Sequence, residues 1–351
     1  MKGEGFEFAI SASLFWGEAL GVLEVEMSEE RGEFAYINWI RGQLPAKDGR
    51  VTVGIGDDMA EVLVPVTDRA AGEARLRGSS GGQARVLIGT DTILDGVHFD
   101  LAHDDLADVG WKALAVNLSD VAAMAAVPLA AVGAVALPRS LTMADARRLF
   151  DGLKRCAQEF DTSWVGGDIT VWDHPLAVTV TVLAYAERCV LRSGARPGEL
   201  VCVTGTLGGS LLGKHLTFQP RIREARRLAQ TVQLGAMMDL SDGLSSDLNH
   251  LCDESGAGAL IEAAKIPISE AAQQMGARDG RSPLDHALND GEDFELLFTA
   301  DAADAERLGK LDLGVPVTVV GRVVEPARGR LIVDERGLQR PLKPGGYEHW
   351  R

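Results

Sequence analysis

The stretch MMDLSDGLSSDL, residues 237–248, sets Asp239, Asp242 and Asp247 among serines and a glycine, directly after an apolar approach. It reads as a strand, AMMDLS, running into a helix over 243–253 that carries Leu244, Leu248 and Leu251 on one face. The chain already has a formal charge of −16. Two carboxylates about 4 Å apart repel by roughly 4 kcal/mol near a protein surface. Either these side chains point apart into water, or a positive group sits between them. Asp242, taken alone, reads as a simple helix cap, because helix N-termini favour anions. Asp239, two residues earlier, is not. Asp247, Asn249 and His250 read as a solvated face.

The same strand-then-helix grammar extends in both directions. Downstream lie the strands ALIEA, DFELLFTA and VTVVGRVV and a helix near 301–310; upstream lie the strand LVCVTG and a helix around 222–233. In the first half, RVTVGIGDDMAEVLVPV gives two short strands around a Gly-Asp-Asp turn, and residues 69–85 read as a mobile Gly/Ser/Arg-rich loop. VLIGTDTIL is a buried strand ending in polar residues, followed by a helix over 106–127, the strand LAAVGAVALP, a helix capped by Thr142 and the strand PLAVTVTVLAYAE. Glycine and proline punctuation places a domain boundary near 187–195. The expected class is α/β (α+β) with two domains, 27–190 and 191–351, and residues 1–26 as an extension outside the core fold. Met27 opens a helical stretch with Phe34, Ile37, Trp39 and Ile40 clustered.

Acidic and basic residues number 51 and 35, which argues against a general nucleic-acid or membrane surface. No apolar run is long enough to span a bilayer, and the N-terminal region lacks the pattern of a signal peptide. Cys156, Cys189, Cys202 and Cys252 are widely spaced among apolar or helical neighbours. They read as small buried hydrophobes in a reducing cytoplasm, not as zinc ligands or disulfides.

Five separated segments end in aspartate. On the helix 106–127 the apolar stripe of Val109, Ala113, Val116, Ala123, Met124 and Val127 includes Asp120, which therefore faces inward. A buried ion pair or cap is one reading of such a carboxylate and a metal ligand is the other. Asp57 and Asp58 sit in the GIGDD turn, Asp91 follows Thr90 in GTDTILDGVHF, and Asp168 follows a glycine pair in WVGGDIT. Paired glycines let backbone N–H groups approach a phosphate. His98, by itself, reads as a structural histidine. Hard oxygen donors without the His/Cys mixture that zinc prefers select Mg²⁺, an ion usually shared with substrate phosphates. GGSLLGKH, 208–215, nearly spells a phosphate-binding P-loop, but His215 stands where Ser or Thr is required, and the segment reads as a leucine-rich helix.

Taken in order, GIGDD, GTDTILDGVHF, WKALAVNLSDVAAM, GGD, LRSGARPG, DLSDGLSSDL and GEDFELLF resemble the thiamine-monophosphate kinase family. That family shares a superfamily with aminoimidazole-ribonucleotide synthetase, selenophosphate synthetase and HypE. The resemblance covers about residues 30–350 and implies a two-domain PurM-like fold. It implies a homodimer whose N-terminal sheets pack into a shared barrel, with ATP near the dimer interface. It places magnesium ligands on Asp58, Thr90, Asp91, Asp120, Asp168, Asp239 and Asp242, ATP contacts on Gly167, Asp168, Arg192 and Ser241, and substrate contacts on His98 and Glu292. The family's aromatic-rich tail corresponds here to LKPGGYEHW, in which Tyr347 fits, Pro344 stands where an aromatic is usual, and Trp350 is a possible replacement.

The implied reaction moves the γ-phosphoryl of ATP onto thiamine monophosphate, giving thiamine diphosphate and ADP with Mg²⁺ as cofactor and no covalent enzyme intermediate. The alternatives are another ATP-dependent enzyme of the superfamily, of the aminoimidazole-ribonucleotide synthetase type, or a non-catalytic thiamine diphosphate-binding dimer. No nucleic acid or membrane partner is expected.

Overall fold

The computed structural model describes residues 37–38, 40–42, 50–65 and 83–348. The expectations for residues 1–26, for the helix after Met27, for most of the 69–85 loop and for Trp350 lie outside the described residues.

Alternating hydrophobic strands build two sheets. The first holds β1 (Val51–Val53), β2 (Ala60–Pro65), β3 (Gln83–Leu94), β4 (Val127–Pro138), β5 (Ser163–Trp172) and β6 (Ala177–Tyr185), in the order β1-β2-β3-β6-β4-β5. Its pairs are antiparallel except β4–β5, whose parallel crossover carries a helix. Helices α1 (Leu106–Ala123) and α2 (Met143–Glu159) pack against each other. Two glycines make that contact possible. A Cβ on Gly110 would lie 2.0 Å from the Leu149 carbonyl, and one on Gly152 would lie 1.8 Å from that of Ala107. Along β6, Val178, Val180, Val182 and Ala184 are buried, whereas Leu183 is exposed. The sheet thus has one covered face and one open face.

The second sheet holds β7 (Leu200–Thr204), β8 (Leu234–Asp239), β9 (Gly258–Glu262), β10 (Leu296–Ala300), β11 (Val317–Val324), β12 (Arg330–Val333) and β13 (Gln339–Pro341). Its order is β13-β12-β9-β11-β7-β10-β8. With it fold α3 (Lys214–Thr217), α4 (Ile222–Thr231), α5 (Leu244–Ser255), α6 (Glu270–Asp279), α7 (Pro283–Asn289) and α8 (Ala305–Lys310). One core joins α1 and the first sheet to Phe218, Leu228, Met237, Phe294 and Phe298. A second core lies under α5, with Val201, Met238, Leu248 and Leu297. Strand alternation sends Met237 to the first core and Met238 to the second, so Asp239 points back towards α1. The result is a mixed α/β fold in which the two sheet-based halves share apolar packing.

Several boundaries differ from the sequence expectation. The helix carrying Asp120 stops at Ala123, short of residue 127, and Ala125, at φ 52°, turns the chain into β4. Asp91 and Asp168 are interior to β3 and β5, not at strand ends. GGSLLGKH is a 3₁₀ turn, Ser210–Leu212, followed by the four-residue α3, not a leucine-rich helix. Helices α6 and α7 have no counterpart in the sequence expectation.

Candidate active site

At the junction of the halves, the Gly-Asp-Asp turn, the last turn of α1 and the end of β8 bring together Asp58, Asp120 and Asp239. One oxygen from each lies within 4.8 Å of the others. Asp91 joins from β3, its carboxyl facing that of Asp120. Its N–H donates to Asn117 Oδ1 at 3.2 Å, which ties the strand to α1. Ser119, one residue before Asp120, donates to Asp239 Oδ2 at 2.6 Å. The cation among these acids is Arg192, whose Nη2 donates to Asp58 Oδ1 at 2.8 Å.

The electrostatics are unbalanced. Burial, reinforced by the Asp58 charge, raises Asp239 to about 7. Burial and the charges of Asp91 and Asp239 push Asp120 well above the usual carboxylate range, and burial raises Asp91 as well. Burial works against the Arg192 charge, but Asp58, Asp239 and Asp120 outweigh it and hold the guanidinium firmly protonated. Asp58 Oδ2 and Arg192 Nε are buried without hydrogen-bond partners. Several carboxylates facing one guanidinium, with an orphaned acceptor among them, fit a site built to receive a hard cation.

The remaining predicted ligands are placed differently. Cross-strand pairing aligns Thr92, Thr179, Ala134 and Asp168 in one row, and Thr90, Thr181, Val132 and Gly166 in the next. Thr90 and Asp168 therefore lie on the open face of the first sheet, whereas Asp91 faces α1. Within one chain, the structure does not bring Thr90 and Asp168 to the Asp58 cluster. Gly167 is required by strand packing, since a Cβ there would lie 2.1 Å from the Gly133 carbonyl, while Gly166 has open space around it. Asp242 and Ser241 occupy the loop between β8 and α5. The Ser241 carbonyl accepts the Glu292 N–H at 2.6 Å, and the Asp242 carbonyl accepts that of Tyr347 at 3.2 Å.

Asp247 corrects the solvated-face reading. It is buried and accepts the N–H groups of Asp242 and Gly243 at 3.2 and 3.0 Å. Asn249 is buried too, donating to the Ser245 and Leu342 carbonyls. His250 is partly buried and held neutral, burial and the Arg192 charge lowering it to about 4.

A second polar group joins the predicted substrate residues. Lys112 is fully buried; its Nζ donates to the His98 carbonyl at 2.7 Å and pairs with Glu292. Burial lowers its pKa, against the pull of Glu292. Glu292 and Phe294 both adopt positive φ, 55° and 49°, in the loop before β10. The conformation is stabilised from both sides. Phe294 stacks on Phe218 at 3.9 Å, and Glu295 receives both Arg221 and Lys214. Sequence reasoning missed Lys112, although a lysine inside the apolar run WKALAV was a signal. Pro344 and Tyr347 are exposed on the C-terminal segment, which is anchored by the Gly345 and Gly346 N–H groups donating to Ser245 and Ser246 Oγ.

The near P-loop is excluded by geometry. Its Gly208 and Gly209 amides are taken by Asp293 and Asp290, and Lys214 is paired with Glu295. Cys156, Cys202 and Cys252 are buried free thiols, and Cys189 donates to Glu61 at 3.0 Å. Two open clefts of about 620 and 680 Å³ flank the molecule, but neither is lined by Asp58, Asp120 or Asp239. Among the described residues, no helix is long and apolar enough to cross a membrane.

Two mixed sheets with a carboxylate cluster at their junction define a class. The models for AIR synthase related proteins match here, the N-terminal domain over residues 58–186 and the C-terminal domain over 192–334. Within that class, the chain belongs to the thiamine-monophosphate kinase family and is an enzyme of the kinase type. It is 43% identical over 295 residues to thiamine-monophosphate kinase of Rhodopirellula baltica, covering 84% of this chain and 89% of that one. It is 32% identical over 322 residues to the Aquifex aeolicus enzyme of the same name, covering 85% and 97%. Its fold matches AaThiL complexed with AMPPCP and TMP with a TM-score of 0.73 at 31% identity, covering 91% and 97% of the two chains.

Proposed function

We propose that this chain transfers the γ-phosphoryl group of ATP to thiamine monophosphate, yielding thiamine diphosphate and ADP. The observation that carries the reading is the convergence of Asp58, Asp120 and Asp239, with Asp58 Oδ2 buried and unpartnered. The relatives' names, and the AMPPCP and TMP bound by the structural neighbour, supply the substrates.

The all-oxygen donor set suits Mg²⁺. Asp58, Asp91, Asp120 and Asp239 would hold it on the α1 side, with Asp242, Thr90 and Asp168 completing the set that the family resemblance assigns. Mg²⁺ held there would supply positive charge to offset the repulsion between the two phosphate groups. Arg192, with Nε unpartnered, contacts the nucleotide together with Gly167, Asp168 and Ser241. His98, Glu292, Pro344 and Tyr347 border the acceptor. Lys112 keeps the His98 and Glu292 segments in register. The accepting phosphate oxygen is already deprotonated at neutral pH, so these residues orient two anions and no strong base is needed.

We further propose that the enzyme acts as a cytoplasmic homodimer. The open face of the first sheet exposes Ile88 at 42% and Val132 at 40%, and a second copy packed there in a shared barrel would cover them. Thr90 and Asp168 share that face, which puts them beside the interface. The division into domains 27–190 and 191–351, with residues 1–26 outside the core, belongs to the same proposal.

Incubation with ATP, Mg²⁺ and thiamine monophosphate tests the activity, with ADP and thiamine diphosphate as the expected products. Binding of both substrates without formation of thiamine diphosphate would overturn it.

A further inference from the structure

The peptide of Arg192 is gripped at both ends by side chains from opposite halves of the chain. Its N–H donates to both carboxylate oxygens of Asp57, at 3.3 Å each. Its carbonyl accepts the Ser255 hydroxyl at 3.0 Å. The same hydroxyl oxygen accepts the N–H groups of Gly194 and Ala195, both at 3.1 Å. The preceding carbonyl, of Leu191, accepts the N–H of Met237 on β8 at 2.9 Å. Gly194, at φ 123°, passes so close to Gly235 that a Cβ would lie 2.7 Å from its carbonyl.

Residues 191–195 are therefore tied to two places that also supply the acidic cluster, and to the far end of α5. Asp57 precedes Asp58 and accepts its N–H at 3.1 Å. Met237 precedes Asp239 by two residues. Ser255 ends α5, the helix that starts just after Asp242. A serine hydroxyl offers one donor and two lone pairs, and Ser255 uses all three on the linker. Nothing in capping its own helix requires this arrangement, since Gly256 in the left-handed region already ends α5.

We propose that Asp57 and Ser255 are positioning residues that fix the backbone of Arg192, so that its guanidinium meets the nucleotide phosphates at a set angle beside Asp58. The proposal rests on the nucleotide role given to Arg192 above, and it adds residues that touch neither substrate. Ser255 is the sharper of the two, because it makes no contact with any of the four clustered aspartates among the hydrogen bonds described.

The test compares KM for ATP and KM for thiamine monophosphate, with saturating Mg²⁺, in wild type, R192A, S255A, S255T, D57N and the double variant R192A/S255A. R192A is expected to raise the KM for ATP by about thirtyfold or more, as for a lost charge-assisted contact. S255A is expected to raise it by about fivefold, the equivalent of one net hydrogen bond, with kcat and the KM for the acceptor unchanged. S255T, which keeps the hydroxyl, is expected to restore it. D57N should move it in the same direction as S255A, and S255A decides the matter if D57N does not fold. In the R192A background, S255A is expected to add nothing. A raised ATP KM in R192A with an unchanged value in S255A overturns the clamp alone, as does a full additional S255A effect in the double variant. Equal rises in both substrates' KM also overturn it. An unchanged ATP KM in R192A overturns the nucleotide role of Arg192, and the clamp with it.

Discussion

Spacing alone puts Asp120 on the inward face of its helix. A carboxylate at a core position of an apolar stripe demands a partner, and the groups around Asp120 are Asp58, Asp91, Asp239 and the Arg192 guanidinium. Asp120→Asn keeps the shape and removes the charge. It is expected to lower kcat by about a hundredfold or more while leaving the circular dichroism spectrum unchanged. Asp247 escapes the same reasoning because its neighbours in sequence are polar. Its side chain turns back over the start of its own helix, and no periodicity encodes that. His250 is hidden for the same reason, and it carries a pH prediction. Its folded pKa is about 4 against 6.5 unfolded, so the unfolded chain binds more protons across that window. The stability contribution is complete above pH 6.5 and is lost as pH falls towards 4. His250→Gln should flatten that loss by about 1–3 kcal/mol, read from urea midpoints at pH 7 and pH 4.5.

Elements were legible where one period ruled. Strands β7, β8 and β11 and helices α1, α2 and α5 stand close to where alternation or helical spacing puts them. The polar run after VLIG reads as the end of a strand, yet β3 continues through it. Thr90 and Thr92 pair with Thr181 and Thr179 through hydroxyl contacts of 3.0 and 2.8 Å, so polar residues there are sheet surface. Helices α6 and α7 give little signal. In α6 one residue, Ala272, is buried, and α7 begins at a proline. At the α1–α2 crossing the glycines matter more than the apolar residues. Gly152→Ala would drive a methyl group into the Ala107 carbonyl and the Trp111 N–H, and both obstacles are backbone. It is expected to destabilise by about 1–3 kcal/mol or more, measured by chemical denaturation.

At the scale of the whole molecule, two sheet-based halves could be inferred from the alternation of elements, and their mutual packing could not. The contact depends on pairs far apart in sequence, such as Trp111 Nε1 donating to the Phe218 carbonyl at 2.9 Å. The candidate site was legible as a set of acids and incomplete as a geometry, because sheet register decides that Asp91 faces α1 while Thr90 and Asp168 face outward. That outward face carries the last prediction. Ile88→Asp with Val132→Asp should convert a dimer to a folded monomer in sedimentation equilibrium, with thiamine diphosphate formation reduced. A wild-type monomer at micromolar concentration would count against the shared barrel.

The packing of Trp111 and its helix against Phe218 and Phe294 has a bearing on how the chain is made. On the ribosome, Trp111 emerges 183 residues ahead of Phe294, a delay of about 10–40 s at ordinary elongation rates. Throughout that interval the nascent first half displays an oily flank that later synthesis alone can cover. Holdase chaperones, or a lowered growth temperature, should therefore raise soluble yield.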